Sequence, residues 1–143
     1  MSIFNLLFSS TKSNSNSTNI GLLILRVSAG LAMAFGHGLG KLPPSDGFIG
    51  MIQSKMGLPL PTVMAWLAGL GEFLGGLFMA LGIMTRPSAL FMAAVMFMAT
   101  FNFHLSDPFA AKEKALLFLI IGLTVVFTGP GKYSLDEIIS NKK

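Results

Sequence analysis

Glu72 is the one charged residue in the apolar run 64–82 and falls near its middle. A carboxylate at that depth of a bilayer-spanning segment is costly, so it must face protein or water and hold either a partner or a proton. Three more residues able to share charge or protons stand in neighbouring apolar runs: Arg26, His37 and His104. Lys41 and Glu113 flank the level of the two histidines. Together these are the groups that acid–base chemistry on a lipid-soluble molecule at a membrane edge requires: a carboxylate that exchanges a proton and imidazoles that donate and accept near neutral pH.

The same residues fit several chemistries. A quinone head group needs hydrogen-bond donors at its carbonyls and a route for protons, and His37, His104 and Glu72 supply both. A b-type haem needs two histidines at one depth, which His37 and His104 also offer. His37, His104 and either Glu72 or Glu113 make a donor set of the kind zinc accepts, although no tight spacing marks one. A fourth reading involves no chemistry: a scaffold or assembly factor that binds a lipid or a partner protein. In that reading Arg26 and Glu72 pair to hold helix register. Arg26 also fits a side chain snorkelling to the headgroups. The histidines are then satisfied interface residues, Glu113 a solvated helix-end charge, and the Met and Phe stripes plain packing. No inverted repeat supports transport.

Composition sets the frame for these choices. Of 143 residues 52% are hydrophobic and only 11% charged, too few charges to coat a soluble domain of this size. The net charge of +4 comes from lysines at the ends and in loops, with no basic patch interleaved with aromatics, so nucleic acid is excluded as a partner. The lipid bilayer is the expected partner, and the juxtamembrane lysines suit anionic headgroups. With no cysteine, the chain itself offers no disulfide, thiolate metal site or thiol relay.

The elements that must position the candidate residues follow from the apolar runs. Residues 1–19 read as a flexible N-terminal segment, with an apolar start at 1–8 that suits an interfacial anchor or a disordered end, then a Ser/Asn/Thr tract. Residues 20–140 read as one membrane domain. The first span is 20–39, which at ~1.5 Å per residue covers roughly one hydrocarbon thickness. Gly36 and Gly40 have the small-xxx-small spacing that lets helices approach. Proline ends that span, and Ser45 and Asp46 can cap an interfacial helix reaching about Lys55. Further spans read at 64–82, 87–105 and 110–128, and Ser134 with Glu137 has capping-box spacing for a short terminal helix at 135–140. The expected fold is all-α: a four-helix transmembrane bundle with a short interfacial helix after the first span. Both termini then share a side, and the lysine and arginine distribution places it in the cytoplasm. Exposed Gly and Ala faces suit a homo-oligomer.

Depth arithmetic brings the candidates together. His37 and His104 each stand about 17 residues into spans running the same way, so both lie roughly 25 Å from the inner surface. Glu72 falls near mid-membrane and Arg26 about 9 Å from the inner side, which makes Arg26 the expected charge partner of Glu72.

The pattern as a whole resembles the DoxX family of small four-helix membrane proteins. The residues that carry the resemblance in the first span are Leu25-Arg26 with Gly30, then His37-Gly38 and Lys41-Leu42. They continue with Glu72 and Gly75-Gly76, Gly82 with Thr85-Arg86, and His104. Glu113 before Ala115-Leu116-Leu117, Gly129-Pro130-Gly131 and Ser134-Leu135-Asp136 complete them. The likeness covers about residues 20–136. It implies a bacterial inner-membrane protein and a subunit of a quinone-linked redox system, thiosulfate-dependent or stress-related, working with redox partner subunits. With no nucleotide fingerprint and no cysteine, electron transfer would need a bound quinone, a haem or a partner. On this reading Glu72 is the proton-exchanging carboxylate, Arg26 its charge partner, and His37, His104, Lys41 and Glu113 the groups around the ligand.

Overall fold

The structure, a computed structural model, describes residues 15–141; the expected anchor at 1–8 and most of the Ser/Asn tract lie outside the described residues. Every regular element among the described residues is helical. Helix α1 is Asn16–Met33 and continues through a wide π turn, Ala34–Gly38, and a 3-10 turn, Leu39–Lys41. Helix α2 is Asp46–Met51 and runs into a second π turn, Ile52–Met56. Helix α3 is Pro61–Leu81, and α4 is Thr85–Met98 with a third π turn at Ala99–Phe103. Helix α5 is Phe109–Thr128 and α6 is Leu135–Ser140.

Local chemistry explains the boundaries. Ser15 caps α1 by accepting from the Thr18 amide, so the helix starts in the polar tract, ahead of the apolar run at 20. Residues 16–19 are therefore part of the first helix and not of the flexible lead-in expected for 1–19. Asn19 is buried, and its Oδ1 accepts from the Lys132 amide at 2.9 Å, which ties this turn to the C-terminal segment. Pro61 opens α3, where a missing N–H costs nothing. Gly82 closes it in the left-handed region, φ 72°. Ser45 and Ser134 cap α2 and α6 as their spacing predicts.

The four long helical segments pack in the order α1, α3, α4, α5, with α1 touching α5 to close the ring. Methionine fills the shared interior: Met33, Met79 and Met92 are fully buried among Ala89, Ala93 and Val125. A flexible thioether suits such irregular gaps. The outer faces are apolar as well, with Ile24, Phe35, Leu90, Phe97 and Phe127 exposed. A surface of that kind calls for hydrocarbon around it. Two of the helical segments, Asn16–Lys41 and Pro61–Leu81, are long and apolar enough to cross a membrane.

Two devices lock the helices. Along α1, Gly30, Ala34 and Gly38 form the small face, not the expected Gly36 and Gly40, which have open space around them. A Cβ on Gly30 would lie 2.5 Å from the Gly76 carbonyl oxygen, and one on Gly38 would lie 2.6 Å from the Phe73 Cα. Backbones in such contact leave no room for a side chain.

The second device sits where α1 begins and α3 ends. Arg26 is fully buried there and donates to the carbonyls of Met79 (3.1 Å), Ala80 (3.5 Å) and Tyr133 (2.7 Å). The first two are among the last carbonyls of α3, which carry the negative end of its dipole; the Met79 carbonyl also accepts from the Gly82 amide at 3.3 Å. Arg26 thus neither snorkels nor pairs with Glu72. Asp136 of α6 completes this end. Its carboxylate accepts from the Met84 amide (2.8 Å), the Thr85 amide (2.8 Å) and the Thr85 hydroxyl (2.7 Å), which caps α4 from across the fold.

Two outcomes follow for stability in detergent. Gly38→Ala should cost about 1–3 kcal/mol through overpacking, while Gly36→Ala should stay within about 0.5 kcal/mol; paired thermal unfolding curves read the difference. Asp136→Ala should cost about 3 kcal/mol, because it uncaps α4 and leaves the buried Arg26 charge uncompensated. A wild-type melting temperature for that variant would show that the cap carries no stability.

Candidate functional site

Glu72 stands on the α3 face that also carries Gly69 and Gly76, the face turned to α1. Its side chain is 1% exposed. Oε1 accepts from the Lys41 ammonium at 2.5 Å, and Lys41 itself stays about a third exposed, at 32%. Oε2 is buried with no hydrogen-bond partner. The partner of Glu72 is therefore Lys41, not Arg26. Helix register gives the reason: Gly38 packs on Glu72 and Phe73, whereas Arg26 reaches Met79 and Ala80. Seven residues of α3 separate the two levels, about 10 Å at 1.5 Å per residue.

Two local features bring Lys41 to this place. The absence of a side chain on Gly38 lets α1 close on α3, and the 3-10 turn Leu39–Lys41 then carries the chain over the next turn of α3. There Lys41 O and the Leu42 side chain lie against Gly69. The Lys41 ammonium also stands 5.6 Å from the centroid of the Phe48 ring, a favourable cation–π approach from α2.

A cavity of about 160 Å³ lies beside the pair, lined among others by Glu72, Lys41, His37, His104, Lys114 and Phe118. The His37 ring meets Phe118 edge-on, centroids 5.8 Å apart. His104 follows the π turn Ala99–Phe103, and its Nδ1 lies 2.7 Å from Asp107 Oδ2. Asp107 in turn faces Lys55 at 3.7 Å. The His104 hydrogen bond holds the Asp107 carboxyl below the usual carboxylate range, and the Lys55 charge acts in the same direction. An ionised carboxylate only accepts, so Nδ1 is the donor in this hydrogen bond and Nε2 is turned away from Asp107.

Of the residues expected at the site, Glu72, Lys41, His37 and His104 share this cavity. Arg26 belongs to the other end of the fold, and Glu113 is exposed on α5 and does not line the cavity. Its neighbour Lys114 does. Successive helix residues point about 100° apart, and Lys114, itself exposed, is the one whose side borders the cavity mouth. Lys114 and Asp107 were not among the expected site residues; the His-x-x-Asp spacing at 104–107 was the available signal for the latter. Among the described residues no three His, Asp or Glu side chains converge as a metal set, so the donor set considered for zinc is not assembled. The arrangement gathers one carboxylate, two imidazoles and two ammonium groups around one small cavity.

The DoxX family model matches residues 21–105, from the first turns of α1 to the residue after His104. Inner membrane protein YqjF of Escherichia coli (strain K12) is 33% identical over 130 residues, which cover 87% of this chain and 95% of that protein. The protein named putative oxidoreductase CatD of Bacillus subtilis (strain 168) is 31% identical over 128 residues, covering 89% of this chain and 92% of the relative. No solved structure matches significantly. The family match takes in Arg26, His37, Lys41, Glu72 and His104, and the relatives extend it over nearly the whole chain. On these grounds the chain belongs to the DoxX family of membrane proteins.

Proposed function

We propose that this protein is the quinone-binding membrane subunit of a redox system in the bacterial inner membrane, with four helices crossing the bilayer and both termini in the cytoplasm. The observation that carries the reading is Glu72: a buried carboxylate, one oxygen held by Lys41 and the other without a hydrogen-bond partner, on a residue that lines a cavity together with two histidines. An orphaned acceptor of that kind is expected where a ligand or a transferred proton completes the site. The name of the Bacillus subtilis relative supports the redox class, and that of the Escherichia coli relative supports the inner membrane.

The residues divide the work. A bound quinone supplies a two-electron, two-proton couple. Glu72 Oε2 takes up or releases a proton, and Lys41 keeps Oε1 oriented and balances the charge. His104, oriented by Asp107, presents Nε2. His37 and Lys114 provide further donors at the cavity wall. The position of Lys41, a third exposed, gives protons a way between the buried carboxylate and the aqueous edge.

Organic extraction of the detergent-purified protein should release near-stoichiometric quinone. Glu72→Gln, nearly isosteric and uncharged, should fold normally, lose that quinone, and lower quinone-dependent electron transfer by about a hundredfold or more. Wild-type quinone content and turnover in Glu72→Gln would rule the role out. Quinone at no more than its background level in the membrane, for the unaltered protein, would favour a scaffold without chemistry.

A further inference from the structure

The Lys41–Glu72 pair has a second side. A larger chamber, about 360 Å³, shares Lys41, Glu72, Ala99 and His104 with the polar cavity but is otherwise apolar. Its roof is α2 and the π turn that follows, through Phe48, Met51, Ile52 and Met56. A third space of about 190 Å³ shares Ile52, Met56, Ala68 and Val95 with this chamber, and no polar side chain lines it. Its outer wall includes Leu67 and Ala94, both exposed on the apolar face between α3 and α4. The three spaces therefore adjoin one another through shared walls, ordered from the lipid-facing side of α3 and α4, beneath α2, to the buried carboxylate.

We propose that this series is a passage for a long apolar tail, and that the ligand is a tailed amphiphile. Its head sits at Lys41, Glu72 and His104, and its tail lies under α2 and leaves to the bilayer between α3 and α4. The identity of the head as a quinone rests on the function proposed above; the passage rests on the chamber walls. The polarity gradient matches such a molecule. Charged and imidazole groups stand at one end, methionines and alanines in the middle, and aliphatic side chains facing lipid at the other. A volume of 360 Å³ is within the range of ligand pockets, which are mostly apolar with a few placed polar groups. Ala68, at the wall common to both apolar spaces, keeps the way open by its small size. The roof is pinned from the head end: Lys55 faces Asp107 at 3.7 Å and stands 4.8 Å from the centroid of the Phe103 ring.

The test uses the full chain in lipid nanodiscs and a radiolabelled quinone with a diazirine at the far end of a decyl tail. Binding is compared between the unaltered protein and Glu72→Gln, and the photolabel is mapped by peptide mass spectrometry. The expected result is Glu72-sensitive binding, with label on segments 52–68 and 94–98 that is lost when excess untagged decyl quinone competes. Ala68→Trp should abolish that label while a tail-less quinone still binds. Glu72-sensitive binding with label only on the outward faces of α1 and α5 would overturn the passage and leave the head site standing. Label on the passage walls without Glu72-sensitive binding would support the passage and overturn the quinone head. Neither binding nor specific label would overturn both.

Discussion

The direct backbone contact between α1 and α3 is the constraint on which the rest of the molecule depends. Within a bilayer, apolar side chains gain little by leaving lipid for protein, so helices associate through close packing and polar contacts. Here Gly30 and Gly38 allow α1 to lie against Gly76 and Phe73 of α3 with no side chain between them. That contact sets the register. Once Gly38 is level with Phe73, Lys41 must arrive near Glu72, and Arg26 must arrive at the end of α3. Both buried charges then find their partners as consequences of one packing choice.

Arg26 Nε and Glu72 Oε2 are both buried without a hydrogen-bond partner, but the two buried carboxylates, Asp136 and Glu72, are used differently. At the α6 end, three carbonyls take the Arg26 guanidinium, and Asp136 is spent on the amides and hydroxyl that open α4. The polar groups of Asp136 are used up in fastening chain to chain, which is how a buried charge serves structure. At the other end Glu72 gives one oxygen to Lys41, and the other is buried without a hydrogen-bond partner. In a low-dielectric setting an unused acceptor is costly. A fold that needed Glu72 only for register would gain by satisfying both oxygens, as Asp136 does. The two carboxylates thus differ in one respect: both oxygens of Asp136 are engaged, and only one of Glu72 is.

Much of this was legible in the sequence, and the rest failed for physical reasons. Apolar runs marked every long helix, and serine spacing marked the starts of α2 and α6. Register was not legible. Depth counted along isolated spans placed Arg26 beside Glu72, because such counting assumes parallel, untilted helices and ignores where backbones touch. Small-xxx-small spacing was read at Gly36 and Gly40, yet Gly30, Ala34 and Gly38 have the same period and face inward. Spacing alone does not say which side of a helix is buried. For the same reason Glu113 was expected where Lys114 stands. The capping pair Ser134 and Glu137 was visible, but the reach of Asp136 to α4 joins residues far apart in sequence and has no local signature.

The π turns carry the argument furthest. There are three among the described residues, Ala34–Gly38, Ile52–Met56 and Ala99–Phe103. None has a proline; the first contains Gly36 and Gly38, and in the third the Thr100 hydroxyl donates to the Met96 carbonyl at 2.8 Å. Their geometry is less favourable than that of the α-helix, and they tend to persist where function holds them. All three bound the same region. The first contains His37 and the Gly38 contact, the second forms part of the roof and carries Lys55, and the third ends beside His104. Each widens its turn and re-aims the residues that follow, so that side chains from α1, α2 and α4 meet around Glu72 instead of passing at regular helical angles. The opposite end of the fold, where Arg26 and Asp136 sit, has no such turn. The three π turns thus gather at the end with the unpartnered carboxylate oxygen, while the opposite end has irregular points of another kind, with Met84 at φ 42° and Gly129 at φ 81°.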